Sequence, residues 1–298
     1  MEFREINTFL QIAQQQSFSK ASKQLGYSQA AVTIQIKQLE KELGVILFDR
    51  IGKKISLTEQ GRIFYRHALE IMRSVDQARE ALTEKNDLNG QICLGTIESI
   101  CASIFPELLA EYHRLYPQVE ISIVTESPDE LLERMNENKI DLVYLLDRRI
   151  YDHRWHKILE IPERNIFVAS PDHELAKENR ELALDEVLEF PFLLTEKDAS
   201  YRHILEQYLV ATERSIRPFL EIGNTEFIIR MLLKNMGISF LPEFTIRKEL
   251  ETHMLTELKV RNFHMQTWRQ IFYHRDKWVT REMRRFLNWQ RNGSRGFF

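Results

Sequence analysis

Apolar residues in the first part of the chain recur with the period of a helix, interrupted twice. Ile6, Phe9, Leu10 and Ala13 lie on one face of a predicted helix from Glu5 to Gln16. A second, short helix follows, which Ser19 can cap and in which Ala21 and Leu25 sit one turn apart. Gly26-Tyr27 breaks the pattern, and Ser28 supplies the next N-cap, its hydroxyl accepting from free amides at the start of a third helix. There Val32, Ile36, Leu39 and Leu43 form a single apolar stripe that must be buried. The opposite face carries Ala30, Ile34, Lys37, Gln38 and Lys41, with Gln29 and Thr33 flanking its first turns. A helix fixed on one face, with amide, hydroxyl and ammonium groups at its start, can enter a DNA major groove. An ordinary helical hairpin carries the same local pattern.

The flanking residues separate the two readings. After Gly44 the chain runs through Val45-Ile46-Leu47-Phe48-Asp49-Arg50, a short basic turn, and Ile55-Ser56-Leu57-Thr58. That alternation predicts a two-stranded wing offering Arg50, Lys53 and Lys54 to phosphates. Five segments then read together: Ser17-Phe18-Ser19-Lys20-Ala21-Ser22, Ser28-Gln29-Ala30-Ala31-Val32-Thr33, Ile36 to Gly44, Leu47 to Arg50, and Leu57 to Gly61. In order and spacing residues 1 to 66 resemble the winged helix-turn-helix of LysR-type transcriptional regulators. The departures are Ser22 for alanine, Ala30 for a frequent proline, Thr33 for serine and Ile34 where the family often has arginine. The resemblance implies a DNA-binding set of Ser28, Gln29, Ala30, Thr33, Ile34, Lys37, Arg50, Lys53 and Lys54.

From Glu59 to about Asn86 the pattern predicts one long helix capped by Thr58. Along it Phe64, Ala68, Ile71, Val75, Ala78 and Leu82 recur at alternating spacings of four and three, as a heptad seam does. A helix packed on its own chain would also need such a stripe. In the family this is the linker helix that pairs two subunits. Asp87 to Gly90 reads as helix end and hinge. Beyond it strands and helices alternate: strands at 92–96, 119–125, 140–146, 165–169, 192–194, 219–222, 237–241 and 268–273, with helices between most of them and a last helix at 279–292. Alternation of this kind predicts βαβ units and a parallel sheet. It also resembles the family's effector-binding region, two α/β subdomains like a periplasmic binding protein, with family-like motifs at Ser170 to Ala176, Gly223-Asn224-Thr225 and Gly237 to Pro242. The expected organisation is therefore a winged helix-turn-helix DNA-binding domain over 1–58, a linker helix and hinge over 59–89, and an α/β effector-binding domain over 90–298. Subdomain I would be 91–161 plus 266–298, and subdomain II 162–265.

Ligands of open α/β sheets bind outside the carboxyl ends of the strands, near helix starts. That rule selects Thr96, Glu98 and Ser99, then Ser127, then Tyr144, and in the second subdomain Thr195, Ser200, Tyr201, Arg202, Asn224 and Thr225. Family members commonly have a hydroxyl at the position of Ser99. Ser200, Tyr201 and Arg202 together suit a carboxylate, which favours an anionic metabolite as effector. Helix capping accounts for any one of these residues equally well.

Composition adds a division of charge. The 298 residues carry a net charge of −3, yet residues 1–66 hold ten Lys or Arg against six acids, leaving an acidic body behind a basic module. The basic excess is modest, so tight binding calls for two copies acting together. Cys93 and Cys101 are the only cysteines, and no long apolar run marks a secretory or membrane-spanning segment, which points to the cytoplasm. Free cysteines of this kind are read as small hydrophobes before redox sensors. His153 and His156 lack partners at metal spacing. No nucleophile elbow, phosphate loop or dinucleotide fingerprint occurs, so no enzyme and no cofactor or metal is expected. The expected partners are double-stranded promoter DNA, a small-molecule effector and a second copy of the chain, as a dimer or a dimer of dimers, with RNA polymerase left open. An architectural DNA binder remains the alternative.

Overall fold

The computed structural model describes residues 1–51, 54–82 and 88–293. The chain divides into two compact units: Met1–Gly90 together with the segment from Arg275 onward, and Gln91–His274.

The first unit opens with α1 (Phe3–Gln15), α2 (Phe18–Leu25) and α3 (Gln29–Leu43), then the hairpin β1 (Phe48–Ile51) and β2 (Lys54–Leu57), then α4 (Glu59–Leu82). Its core forms around Phe9, which meets Phe48, Phe64 and Tyr65 at ring-centroid distances of 5.2, 4.9 and 6.3 Å. Phe18 closes on Phe48 at 5.7 Å. That contact requires α2 to begin at Phe18, so its cap is Ser17, which accepts from the Lys20 amide at 3.2 Å. Ser19, expected as the cap, lies inside the helix. Gly26 ends α2 in the left-handed region, φ 70°, where a Cβ would be strained.

The wing strands pair antiparallel, Phe48 opposite Leu57 and Ile51 opposite Lys54. Thr58 then caps α4: its hydroxyl accepts from the Gly61 amide at 2.9 Å and donates to the Ile46 carbonyl at 2.7 Å. Its amide donates to the Leu47 carbonyl at 3.1 Å. The same Leu47 oxygen would lie 2.1 Å from a Cβ at residue 61, so only glycine lets α4 start against the wing. The face of α4 buried within its own unit is Tyr65, Ala68, Leu69 and Met72. Of the expected seam, Phe64 and Ile71 pack partly against this core, Val75 is half-buried and Ala78 is exposed. The side chain of Leu82 and the expected helix end near Asn86 lie outside the described residues.

The second unit contains β3 (Gly90–Thr96), α5 (Glu98–Ser103), α6 (Phe105–Leu115), β4 (Val119–Thr125), α7 (Pro128–Asn136), β5 (Leu142–Asp147) and the long β6 (Trp155–Ala169). There follow α8 (Glu174–Lys177), α9 (Leu184–Leu188), β7 (Phe192–Leu194), α10 (Ser200–Ala211), β8 (Pro218–Glu221), α11 (Thr225–Leu232), β9 (Ile238–Pro242), α12 (Arg247–Glu251), β10 (Thr256–Leu258) and β11 (Met265–His274). The strand order is β4-β3-β5-β11-β6-β9-β7-β8, with β10 on β6. Pairs β3–β5, β7–β8 and β7–β9 are parallel, as the alternation predicts. The sheet as a whole is mixed, because β6 and β11 run antiparallel to each other and to their outer neighbours β9 and β5. Strand β6 pairs with β11 from Trp155 to Asn165 and with β9 from Asn165 to Ala169, so it passes from one half of the sheet into the other.

Beside this crossing lies a buried ion pair absent from the sequence reading. Arg269 donates to Glu163 Oε1 at 2.6 Å, with both side chains almost fully buried, and to Tyr144 Oη at 3.3 Å. Burial holds the Glu163 carboxyl above its ordinary range, and the neighbouring Arg269 and Arg247 charges pull it back down.

After β11 the chain does not stay with the first half of the sheet, to which residues 266–298 were assigned as part of subdomain I. Residues 275–293, including α13 (Arg281–Gly293), group with residues 1–90. Trp278 packs on the α1 core and Tyr65 Oη donates to the Asp276 carbonyl at 2.7 Å. Met283, Phe286 and Leu287 are buried. No helix among the described residues is long and apolar enough to cross a membrane.

Candidate functional site

Helix α3 is held by the residues the pattern assigns to its core and by two polar ties it does not. Val32, Ile36 and Leu39 are no more than 1% exposed. Thr8 on α1 donates to Gln35 Oε1 at 2.6 Å, and Glu40 Oε1 accepts the Leu47 amide at 2.8 Å, joining α3 to the base of the wing. Glu40 lies within the Ile36 to Gly44 segment that carries the resemblance, but Gln35 had not been singled out, since a mid-helix glutamine carries no signal until its neighbour across the fold is known. The Ser28 hydroxyl accepts from the Ala31 amide at 3.1 Å, which fixes the helix start.

With that side fixed, Ser28, Gln29, Ala30, Ile34 and Lys37 stand exposed on the other, and Thr33 is half-exposed. Ile34 is 56% exposed. The Thr33 hydroxyl donates to the Gln29 carbonyl at 2.8 Å, so it faces outward as an acceptor. Lys53 lies outside the described residues, as do the side chains of Arg50 and Lys54.

In the second unit a cavity of about 380 Å³ opens at the carboxyl ends of β3, β4 and β7. It is lined by Ile97, Glu98 and Ser99 after β3, by Thr125 to Pro128 and Glu130 after β4, by Thr195, Glu196 and Asp198 to Tyr201 after β7, and by Gly223. Six of the residues selected from the sequence meet there: Glu98, Ser99, Ser127, Thr195, Ser200 and Tyr201. Two of them cross from one half of the sheet to the other. Glu98 accepts from the Thr225 amide at 3.0 Å and from the Thr225 hydroxyl, while Ser200 donates to the Leu146 carbonyl. Ser127 is bound up in a cap, giving its amide and hydroxyl to Glu130 at 3.2 and 2.7 Å.

The others do not line the cavity. Thr96 is fully buried and donates to the Tyr144 carbonyl at 2.8 Å, tying β3 to β5. Tyr144 belongs to the Arg269 cluster. Asn224 caps α11, accepting from the Phe227 amide at 2.8 Å, and Thr225 is engaged by Glu98. Arg202 needs a correction. It follows Tyr201 around the helix and turns into the core, where it pairs with Glu206 one turn on at 2.6 Å and is 1% exposed. It offers no cation to the cavity. At its wall instead are Glu126 and Glu130, which sequence reasoning passed over, and Glu196 and Asp198, which lie within the strand-end segment from Thr195 to Arg202.

Cys93 and Cys101 are half-buried and unlinked. Among the described residues no group of His, Cys, Asp or Glu is arranged to hold a metal ion.

The arrangement is a helix-turn-helix with a two-stranded wing, followed by a mixed α/β unit with a cleft, and comparison with known proteins gives the family. Residues 3–62 match the bacterial regulatory helix-turn-helix protein, lysR family, and residues 85–295 match the LysR substrate binding domain. The chain belongs to the LysR family of transcriptional regulators. It is 29% identical over 290 residues to the HTH-type transcriptional regulator YwqM of Bacillus subtilis (strain 168), covering 97% of this chain and 98% of that protein. It is 30% identical over 292 residues to the HTH-type transcriptional activator CmpR of Synechocystis, covering 96% and 93%. Among solved structures, full-length OxyR from Pseudomonas aeruginosa shares the fold with a TM-score of 0.60 at 20% identity, over 98% of this chain and 95% of that one.

Proposed function

We propose that the protein binds promoter DNA as a dimer or dimer of dimers, reads sequence with α3, and answers to a small molecule held in the cleft after β3, β4 and β7. The observation that carries the reading is the two-sided character of α3: a stripe buried in the core and an exposed face of Gln29, Ala30, Ile34 and Lys37. Gln29 offers donor and acceptor together and matches the N6/N7 edge of adenine, while Ile34 suits a thymine methyl. Lys37 and the wing cations Arg50, Lys53 and Lys54 suit phosphates, which add affinity without choosing sequence. The two groups therefore fail differently. Gln29→Ala is expected to cost about 1–3 kcal/mol on the operator and little on scrambled duplex. Lys53→Ala is expected to weaken both and to lower the salt slope by about one. Titration of each variant on both duplexes at several salt concentrations checks this; equal losses for Gln29→Ala would remove α3 from the groove.

Pairing of two copies is supported by what α4 leaves uncovered. Ile71, Val75 and Ala78 continue the seam but are half-buried or exposed within one chain. Val75→Asp would set an unpaired charge from each copy in an apolar contact, at a cost of several kcal/mol. It is expected to give monomers in sedimentation at micromolar concentration; an intact dimer would mean that another surface holds the pair.

The effector is read as lying in the cleft because two residues of its wall, Ser99 and Glu196, hold buried oxygens without partners, as described below. The anionic effector expected from Arg202 is not carried forward, since that guanidinium serves Glu206.

A further inference from the structure

Accepting the cleft as the effector site, we propose that its ligand is an organic cation, a compound bearing one or more ammonium groups on a short aliphatic frame. The wall carries five carboxylates, Glu98, Glu126, Glu130, Glu196 and Asp198, and no lysine, arginine or histidine. Their engagements differ. Glu126 is neutralised by Arg134, and Glu130 is held by the Ser127 cap. Glu98, Glu196 and Asp198 have no cationic partner among the described residues. An ammonium group would supply the missing charge beside Glu98 and Glu196, which are both half-buried.

An acidic wall alone would not identify a ligand, but the hydrogen-bonding inventory points the same way. Ser99 Oγ and Glu196 Oε2 are buried with no hydrogen-bond partner among the described residues, while the Tyr201 and Thr195 hydroxyls beside them meet only each other and Thr225. Ser99, Thr195 and Tyr201 are 3%, 4% and 2% exposed, so bulk water does not serve them. Buried polar atoms left this way cost stability unless something binds them. Both unpartnered oxygens can accept, and an ammonium, with three donors and no acceptor, suits the pair together with the unpaired Glu98 carboxylate. Gly223 helps to build the site: a Cβ there would come within 2.8 Å of Glu196 Oε2, so its absence is what lets that carboxylate lie where it does.

The same geometry argues against an anion. The amide at the start of α11 is the natural anion position, and the chain fills it with its own Glu98 carboxylate. Burial first, then repulsion from Asp198, Glu98 and Glu221, holds the Glu196 carboxyl above its ordinary range. A cation entering the cleft relieves that repulsion, and a second anion would deepen it. A metal ion is the weaker fit, because no three of these groups converge at ligating distance. The volume of about 380 Å³ matches a small metabolite.

The test is calorimetric titration of the full-length protein at neutral pH with 1,4-diaminobutane, 1,5-diaminopentane, spermidine and free lysine, and with succinate and glutarate as anionic counterparts. At least one amine is expected to bind, with the affinity reduced about tenfold or more in Glu196→Gln, one lost charge contact. Because this swap is isosteric, an unchanged circular dichroism spectrum shows that the loss is not misfolding. Ser99→Phe, which fills the cavity, should abolish the same binding. If no amine binds up to about 10 mM, the cationic class is overturned. If a dicarboxylate binds and Ser99→Phe abolishes it, the cleft reading stands and the cationic class falls. If an amine binds wild type and both variants alike, it sits elsewhere, and both readings fail.

Discussion

Gly61→Ala is expected to destabilise the DNA-binding unit by about 3 kcal/mol, the upper end of what an over-packed methyl costs. The added carbon would lie 2.1 Å from the Leu47 carbonyl oxygen and 3.0 Å from its carbon, both backbone atoms that no rotamer change can move aside. Relief requires α4 and the wing to separate, which breaks the hydrogen bond that the Thr58 amide donates to the same oxygen. A loss of this size would lower the melting temperature of the unit by roughly 10–20 °C. Gly26→Ala is the control. Nothing lies within 4 Å of its Cβ position, so the cost there is only the left-handed backbone, about 1–2 kcal/mol. Thermal unfolding of the two variants side by side decides the matter: an unshifted melting curve for Gly61→Ala would refute the contact, and equal shifts would mean that packing adds nothing.

The second large effect concerns Arg269. Arg269→Met removes the partner of a nearly buried carboxylate, and breaking a pair of this kind costs about 3–5 kcal/mol at neutral pH. The sign with pH follows from Glu163. Its carboxyl in the folded protein already sits above the ordinary value, and losing Arg269 raises it further. The folded variant then binds a proton that the unfolded chain releases, so its stability increases as pH falls through the raised value towards the unfolded one. Urea unfolding should therefore show a deficit at pH 7.5 that narrows at pH 5.5, and Glu163→Gln with Arg269→Met should recover part of it. A deficit independent of pH would mean that Arg269 acts through packing over Phe244 rather than through charge.

How legible these features were in the sequence depends on how local their causes are. Helix α3 was readable because its stripe, its Ser28 cap and its exposed face all follow from spacing within fifteen residues. The capping of α2 was misread by two positions, since choosing between Ser17 and Ser19 requires knowing that Phe18 meets Phe48, thirty residues on. The cavity wall was half readable: the rule about strand ends found Glu98, Ser99, Thr195 and Tyr201, because it concerns topology. It could not tell that Arg202 lies off the wall, because the cavity is bounded by the loop before α10 and only the first residues of that helix. The mixed sheet was missed for a related reason. Direction is set by where β6 and β11 meet, and the two strands are a hundred residues apart, with no mark in either of which way the other runs.

That meeting also governs the order in which the second unit can be completed during synthesis. Strand β11, residues 265–274, lies between β5 and β6 and pairs with both, joining the two halves of the sheet. Until it leaves the ribosome, β5 and the first ten residues of β6 each present an unpaired edge, although both were made more than ninety residues earlier. Open edges of that kind invite pairing with other chains. The nascent protein therefore passes through a long interval in which its halves can form locally but cannot be joined, and during which protection by a chaperone matters most.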